Sequence, residues 1–194
     1  MKEYIRQEFE TSRQILEASL ADHGLQEALE RVIQACIASL RAGNRILFAG
    51  NGGSAADAQH FAAELVSRFY YDRPGLPCLA LTTDTSILTA VGNDYGYEFV
   101  FARQVEANGR SGDVFIGIST SGSSPNILRA LEVARKQGLI TAGFTGALGR
   151  EMSGFCDHVL KVPSTSTPRI QEIHGVLGHI LCAAIERALY PRAA

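Results

Sequence analysis

The sequence lacks the features that mark several large classes of protein. It has no surplus of positive charge: 18 Lys and Arg against 20 Asp and Glu leave a formal net charge of −2. A nucleic-acid binder that works by bulk charge is clearly basic, so no nucleic-acid partner is expected. Long apolar runs are missing too. Ile180 to Ile185 is the longest near the C-terminus, far short of the roughly 20 residues that cross a bilayer. The opening MKEYIRQEFE holds no apolar stretch, so neither a signal peptide nor a membrane role is expected. Cysteine is scarce and scattered: Cys36, Cys78, Cys156 and Cys182 form no CxxC pair. Each sits among apolar neighbours and reads as a buried thiol in a reducing, cytoplasmic setting. There is also no internal repeat and no low-complexity linker.

What is present is a chain of 194 residues, 46% apolar and 20% charged, long enough to bury a core as one domain spanning 1–194. Residues 3–22 carry Ile5, Phe9, Ser12, Leu16 and Leu20 on one helical stripe. After Gly24, a second amphipathic helix carries Leu25, Leu29, Val32, Cys36, Ile37 and Leu40, and closes near Gly43. This pair, 1–42, exceeds what an α/β core needs at its start. Its apolar stripes either complete the domain's own core or pack on a second copy of the chain.

From 43 onward strands and helices alternate. Strands are expected at 45–49, 78–81, 114–118, 140–144 and 159–162. Helices are expected at about 55–70, 84–92 (capped by Asp84), 126–137 and 168–189. Alternation of this kind predicts a parallel α/β sheet of about five strands, covered on both faces in three layers.

Ligands of such sheets bind at the carboxyl ends of the strands. Two loops there have unusual composition: Gly50-Asn51-Gly52-Gly53-Ser54, and Ser119-Thr120-Ser121-Gly122-Ser123-Ser124-Pro125. Each leads into a helix start, where unpaired N–H groups and the dipole favour an anion. Four serines and one threonine at 119–124 add hydroxyl donors. Ser and Gly also cap helices and form turns. One such loop alone would be read that way, whereas two in one sheet point to a phosphate. Neither loop is a Walker GK[ST] or a GxGxxG, so a nucleotide is not indicated.

The helix after the first loop carries Asp57, His60 and Glu64. His60 and Glu64 are four apart, share a face, and can hold one metal. In the last helix Gln171, Gly175 and His179 lie on one stripe. Gly175 and Gly178 suggest close approach of a backbone or a ligand. His174 lies on another stripe and reads as a core histidine.

These residues resemble the phosphoheptose isomerases, a branch of the sugar isomerase (SIS) fold. The resemblance runs essentially end to end. It is carried by GNGGSAADAQHFAAE at 50–64, LTTDTSILTAVGNDYG at 81–96, GDVFIGISTSGSSPNIL at 112–128 and RIQEIHGVLGHI at 169–180. It implies interconversion of D-sedoheptulose 7-phosphate and D-glycero-D-manno-heptose 7-phosphate, the first step toward the heptose of lipopolysaccharide core or other surface glycans. It implies a homotetramer with sites at subunit interfaces, which would occupy the two leading helices. It also implies one zinc per subunit, held by His60, Glu64, Gln171 and His179. Substrate contacts would be Asn51, Gly52, Gly53, Glu64, Asn93, Asp94, Ser119, Thr120, Ser121, Ser124 and Gln171. Every one of these positions carries the family's residue type.

An aldose–ketose isomerisation moves a proton between C1 and C2. It needs a base at carbon, a proton carrier between the oxygens, and stabilisation of the enediol. Glu64 is the expected base and His179 the expected carrier, with zinc as the Lewis acid. A zinc-bound carboxylate is a weaker base. Either Glu64 releases one oxygen during turnover, or the metal orients rather than activates. The competing reading is a non-enzymatic SIS scaffold or sensor that binds a replication initiator. That relative lacks the acidic residue found here as Glu64, so Glu64 with His60, Gln171 and His179 favours the enzyme.

Overall fold

A computed structural model describes residues 1–192. Two helices lead, α1 (Lys2–Ala21) and α2 (His23–Arg41). The remainder alternates: β1 (Ile46–Gly50), α3 (Gly53–Val66), β2 (Cys78–Ala80), α4 (Thr85–Asp94), α5 (Ala102–Asn108), β3 (Val114–Ile118), α6 (Pro125–Lys136), β4 (Ile140–Gly146), β5 (His158–Val162) and α7 (Thr167–Leu189). The break between α1 and α2 falls at Asp22, whose carboxylate accepts from the Leu25 N–H over 3.0 Å. Gly24 therefore lies in the first turn of α2 and is not the breaker. Asp84 caps α4 as expected, accepting from the Ile87 N–H over 2.9 Å.

One expectation needs correction, and one helix was not expected. The helix after the first loop ends at Val66, not near Tyr70. The chain there turns away so that Phe69 and Tyr70 can give their N–H groups to a buried carboxylate, described below. Helix α5 was not among the expected helices. It is only seven residues long, and it buries a glutamine, Gln104, which donates to the carbonyls of Leu81 and Val100.

The five strands are all parallel, in the order β2-β1-β3-β4-β5. Ile46 and Phe48 of β1 face a core built with α2, α3 and α7. Leu47 and Ala49 face a second core built with α5 and α6. Strand β1 is buried throughout, as a central parallel strand covered on both faces must be. From β1 the chain runs outward to β2, then returns to place β3 on the other side of β1. That reversal is the switch point of the sheet, the place where open parallel sheets bind their ligands, and the loops that leave β1 and β3 meet it.

The leading helices divide in role. Helix α2 buries Leu25, Leu29, Val32, Cys36, Ile37 and Leu40 in this chain's own core. Helix α1 buries only Ser19, while Tyr4, Ile5, Phe9, Leu16 and Leu20 stay exposed. All four cysteines are free, Cys36 and Cys182 buried and Cys78 and Cys156 half-buried. Burial pushes the Cys78 and Cys156 thiols up to about 12, so both are inert thiols at neutral pH. Among the described residues no helix is long and apolar enough to cross a membrane.

Candidate active site

The two loops leave adjacent strands at the switch point, with β1 and β3 in register from Ile46 and Val114 to Gly50 and Ile118. Glycine is required where the first loop turns. A Cβ on Gly50 would stand 2.3 Å from the carbonyl oxygen of Ser54, and Gly52 has φ +56°. In the second loop Gly122 has φ +69°, and a Cβ there would meet the Gly149 carbonyl oxygen at 2.5 Å.

The capping explanation for the small polar residues does not hold. Helix α3 begins after Gly52, which has no side chain to cap with, and Ser124 before α6 makes no side-chain cap. The Ser124 hydroxyl instead meets the Ser119 hydroxyl at 2.8 Å, and Ser119 meets Ser121 at 3.4 Å. The Ser121 hydroxyl also accepts from the Ser123 N–H over 3.2 Å. The result is a nest of hydroxyls at an uncapped helix N-terminus, with Ser119 buried and Ser121 exposed. An anion there would be met by fixed donors and the positive end of the helix dipole.

The second constellation lies between α3 and α7. Nε2 of His60 is 3.0 Å from Oε1 of Glu64 and 3.3 Å from Nε2 of His179. The ligand atoms of these three residues lie within 4.8 Å of one another. Nitrogen and oxygen donors about 2.0–2.1 Å from one tetrahedral ion would be about 3.3 Å apart. The chemistry of the set, two imidazoles and a carboxylate, also suits a borderline-soft divalent metal. These residues therefore fit a metal site.

Gln171 lies two turns before His179 on α7, packed against the start of α3. A Cβ on Gly53 would stand 2.6 Å from its Nε2. At the other end Gly178 would place a Cβ 2.1 Å from the ring of Phe61. The close approach expected at Gly178 is thus made by an aromatic ring, while among the described residues nothing lies within 4 Å of a Cβ on Gly175. Between these contacts, Oδ2 of Asp57 is buried without a hydrogen-bond partner among the described residues. Burial raises the Asp57 carboxyl above its ordinary range, and His60 pulls it the other way. Asn93 and Asp94 end α4, both exposed, and Nδ2 of Asn93 donates to Oδ1 of Asp94 over 2.8 Å. His174 is fully buried and neutral, its Nε2 3.3 Å from the Thr145 carbonyl, and burial lowers it from 6.5 to about 4.

Sequence reasoning missed the frame behind the metal-ligating set. Glu186 of α7 and Arg73 form an ion pair at 3.1 Å, with side chains 0% and 2% exposed. Glu186 also accepts the N–H groups of Phe69 and Tyr70 over 2.8 and 2.7 Å. Burial would raise its carboxyl, but these N–H groups and Arg73 outweigh that and hold it below the ordinary range. Arg73 donates onward to the carbonyl of Glu64 over 2.9 Å. The turn so fixed sets the Phe69 ring 5.7 Å from the ring of His179. The only sequence signal was a glutamate in the apolar stretch of the last helix.

A site of this kind, at the switch point of a five-stranded parallel sheet, defines a class of sugar-phosphate-binding α/β domain. The family model for the SIS domain matches residues 9–146. A phosphoheptose isomerase of Aneurinibacillus thermoaerophilus is 59% identical over 190 residues, covering 98% of this chain and 96% of that one. The structure of a phosphoheptose isomerase from Neisseria gonorrhoeae superposes with a TM-score of 0.89 at 40% identity, covering 95% of this chain and 98% of that one. One from Francisella tularensis superposes with a TM-score of 0.91 at 37% identity, covering 95% and 97%. The chain belongs to the phosphoheptose isomerase family of SIS-domain proteins.

Proposed function

We propose that the protein interconverts D-sedoheptulose 7-phosphate and D-glycero-D-manno-heptose 7-phosphate, opening a route to the heptose of lipopolysaccharide core or another surface glycan. The observation that carries this reading is the convergence of His60, Glu64 and His179, on helices that flank the uncapped loops, in a chain of this family. The phosphate binds at Ser119, Thr120, Ser121 and Ser124, and the α6 N-terminus supplies fixed charge there. Asn51, Gly52, Gly53, Asn93, Asp94 and Gln171 contact the sugar. Anchoring one end of a long substrate sets the register of its reacting end. Glu64 takes the carbon-bound proton and returns it to the neighbouring carbon. His179 moves the proton between the two oxygens. His60, Glu64, His179 and Gln171 would hold one zinc, which when bound would either supply Lewis acidity toward the substrate oxygens, with one Glu64 oxygen released to act as base, or orient those oxygens without activating them.

The molecule works in the cytoplasm as a homotetramer, with its sites at subunit interfaces. Supporting this is the apolar stripe of α1, where Phe9 and Leu20 are 74% and 72% exposed. A stripe of that kind is stable in water when another copy covers it. The direct test is turnover of sedoheptulose 7-phosphate followed by NMR, with and without a chelator. Conversion that the chelator abolishes, and added zinc restores, is the expected result. No conversion by metal-loaded protein would overturn the reading.

A further inference from the structure

The two loops at the switch point are joined by a reciprocal pair of carboxamides. Nδ2 of Asn51 donates to Oδ1 of Asn126 over 2.9 Å, and Nδ2 of Asn126 donates back to Oδ1 of Asn51 over 2.8 Å. Asn126 is in the first turn of α6 and is 3% exposed, whereas Asn51 follows β1 and is half-buried. The Tyr97 hydroxyl donates to Oδ1 of Asn51 over 3.4 Å. A carboxamide offers two N–H donors and two acceptor lone pairs. On Asn51 both lone pairs are engaged, one by Asn126 and one by Tyr97. One of its N–H groups is engaged by Asn126, so a single N–H is left. Flipping either amide alone would set N–H against N–H and oxygen against oxygen, so each holds the other's orientation.

We propose that Asn126 is a positioning residue for the isomerisation, acting through Asn51. The inference rests on the proposed function, in which Asn51 contacts the sugar phosphate. Asn126 is 3% exposed and spends its amide on Asn51, so it acts on the substrate only through that residue. Paired with Asn126 and Tyr97, the Asn51 amide keeps one N–H free to donate, which suits a substrate oxygen acting as acceptor, a carbonyl or phosphoryl oxygen. The same pair ties the loop leaving β1 to the loop leaving β3. It therefore holds the sugar-contacting Gly50–Ser54 segment in register with the hydroxyl nest at Ser119–Ser124.

The test is a four-protein comparison: the unsubstituted protein, Asn51→Ala, Asn126→Ala and the double variant, each assayed for KM and kcat with sedoheptulose 7-phosphate. One lost hydrogen bond to substrate corresponds to about a tenfold change in binding. Asn126→Ala alone should raise KM about tenfold and leave kcat within about twofold. In the Asn51→Ala background the same substitution should change KM less than about twofold, because the group it positions is gone. A purely structural role would lower the active fraction, and so the apparent kcat, alike in both backgrounds. Equal KM changes in both backgrounds, or none in the unsubstituted one, would overturn the inference. Asn126→Ser, smaller but still polar, carries the same comparison if the alanine variant does not fold. Absence of isomerisation in the unsubstituted protein would instead overturn the functional reading. Calorimetric titration of the four proteins with sedoheptulose 7-phosphate then reads the Asn51–Asn126 coupling independently of turnover.

Discussion

Glu186→Gln is a small change in shape with a large expected consequence. The two carboxylate oxygens of Glu186 together accept three donors: the Phe69 N–H, the Tyr70 N–H and Nε of Arg73. A glutamine there replaces one oxygen with an NH2 group, which must face a donor. It also strips the counter-charge from a guanidinium that is 2% exposed. Removing one partner of a buried pair costs about 3–5 kcal/mol, because the orphaned charge stays desolvated. Arg73 keeps its bonds to the carbonyls of Glu64, Leu65, Ser67 and Pro74, which soften the loss without supplying a negative charge. The expected loss is therefore about 3–5 kcal/mol. It would be read from urea unfolding by circular dichroism at fixed protein concentration, as a fall in midpoint at unchanged slope. Replacing both partners removes the orphaned charge. Arg73→Met/Glu186→Met should thus lose less than the sum of the two single methionine variants, by more than about 1 kcal/mol. A loss below about 1 kcal/mol for Glu186→Gln, or additive methionine variants, would refute the reasoning.

Three further outcomes are expected. Ser121→Ala removes one donor from the hydroxyl nest, so KM for the sugar phosphate should rise by the equivalent of about 1.5–3 kcal/mol with little change in kcat; substrate saturation curves check this. His174 is neutral in the fold, lowered from 6.5 to about 4. The unfolded chain binds the extra proton first, so stability is full above about pH 6.5 and falls as pH drops toward 4, by about 3 kcal/mol in total. Urea midpoints measured across that window should flatten in His174→Gln. Phe9→Asp places a charge on the exposed α1 stripe, so sedimentation should show a tetramer for the parent chain and smaller species for the variant. A parent mass near 20.9 kDa at micromolar concentration would end the tetramer proposal.

How much of this was legible in the sequence follows from the range of each interaction. Strand β3 was placed to the residue, because VFIGI is an apolar run bounded by turn residues. Asp84 was identified as a cap because its partner is three residues away. His60 and Glu64 could be paired through helical spacing, and His179 joined them once the resemblance supplied the set. The end of α3 was misplaced because it is governed by Glu186, more than a hundred residues downstream. Asp22 was passed over for Gly24, since composition alone does not say which side chain meets an orphan N–H. Asn126 carried no local signal at all. Its role depends on Asn51, 75 positions away in the chain, and only the order of the strands brings the two together.

The central claim is that Glu64 moves a carbon-bound proton of the sugar phosphate. Turnover of sedoheptulose 7-phosphate in heavy water by the metal-loaded protein, beside Glu64→Gln, tests it most directly, with NMR reading both conversion and isotope. The account predicts deuterium at C2 of the aldose product in the fraction of turnovers in which the proton held on the Glu64 carboxyl exchanges with solvent before it is returned. It also predicts that Glu64→Gln lowers kcat by about 10²–10⁴-fold or more while still binding the sugar phosphate. Near-normal kcat in Glu64→Gln, with no deuterium in the product of either protein, would contradict the account.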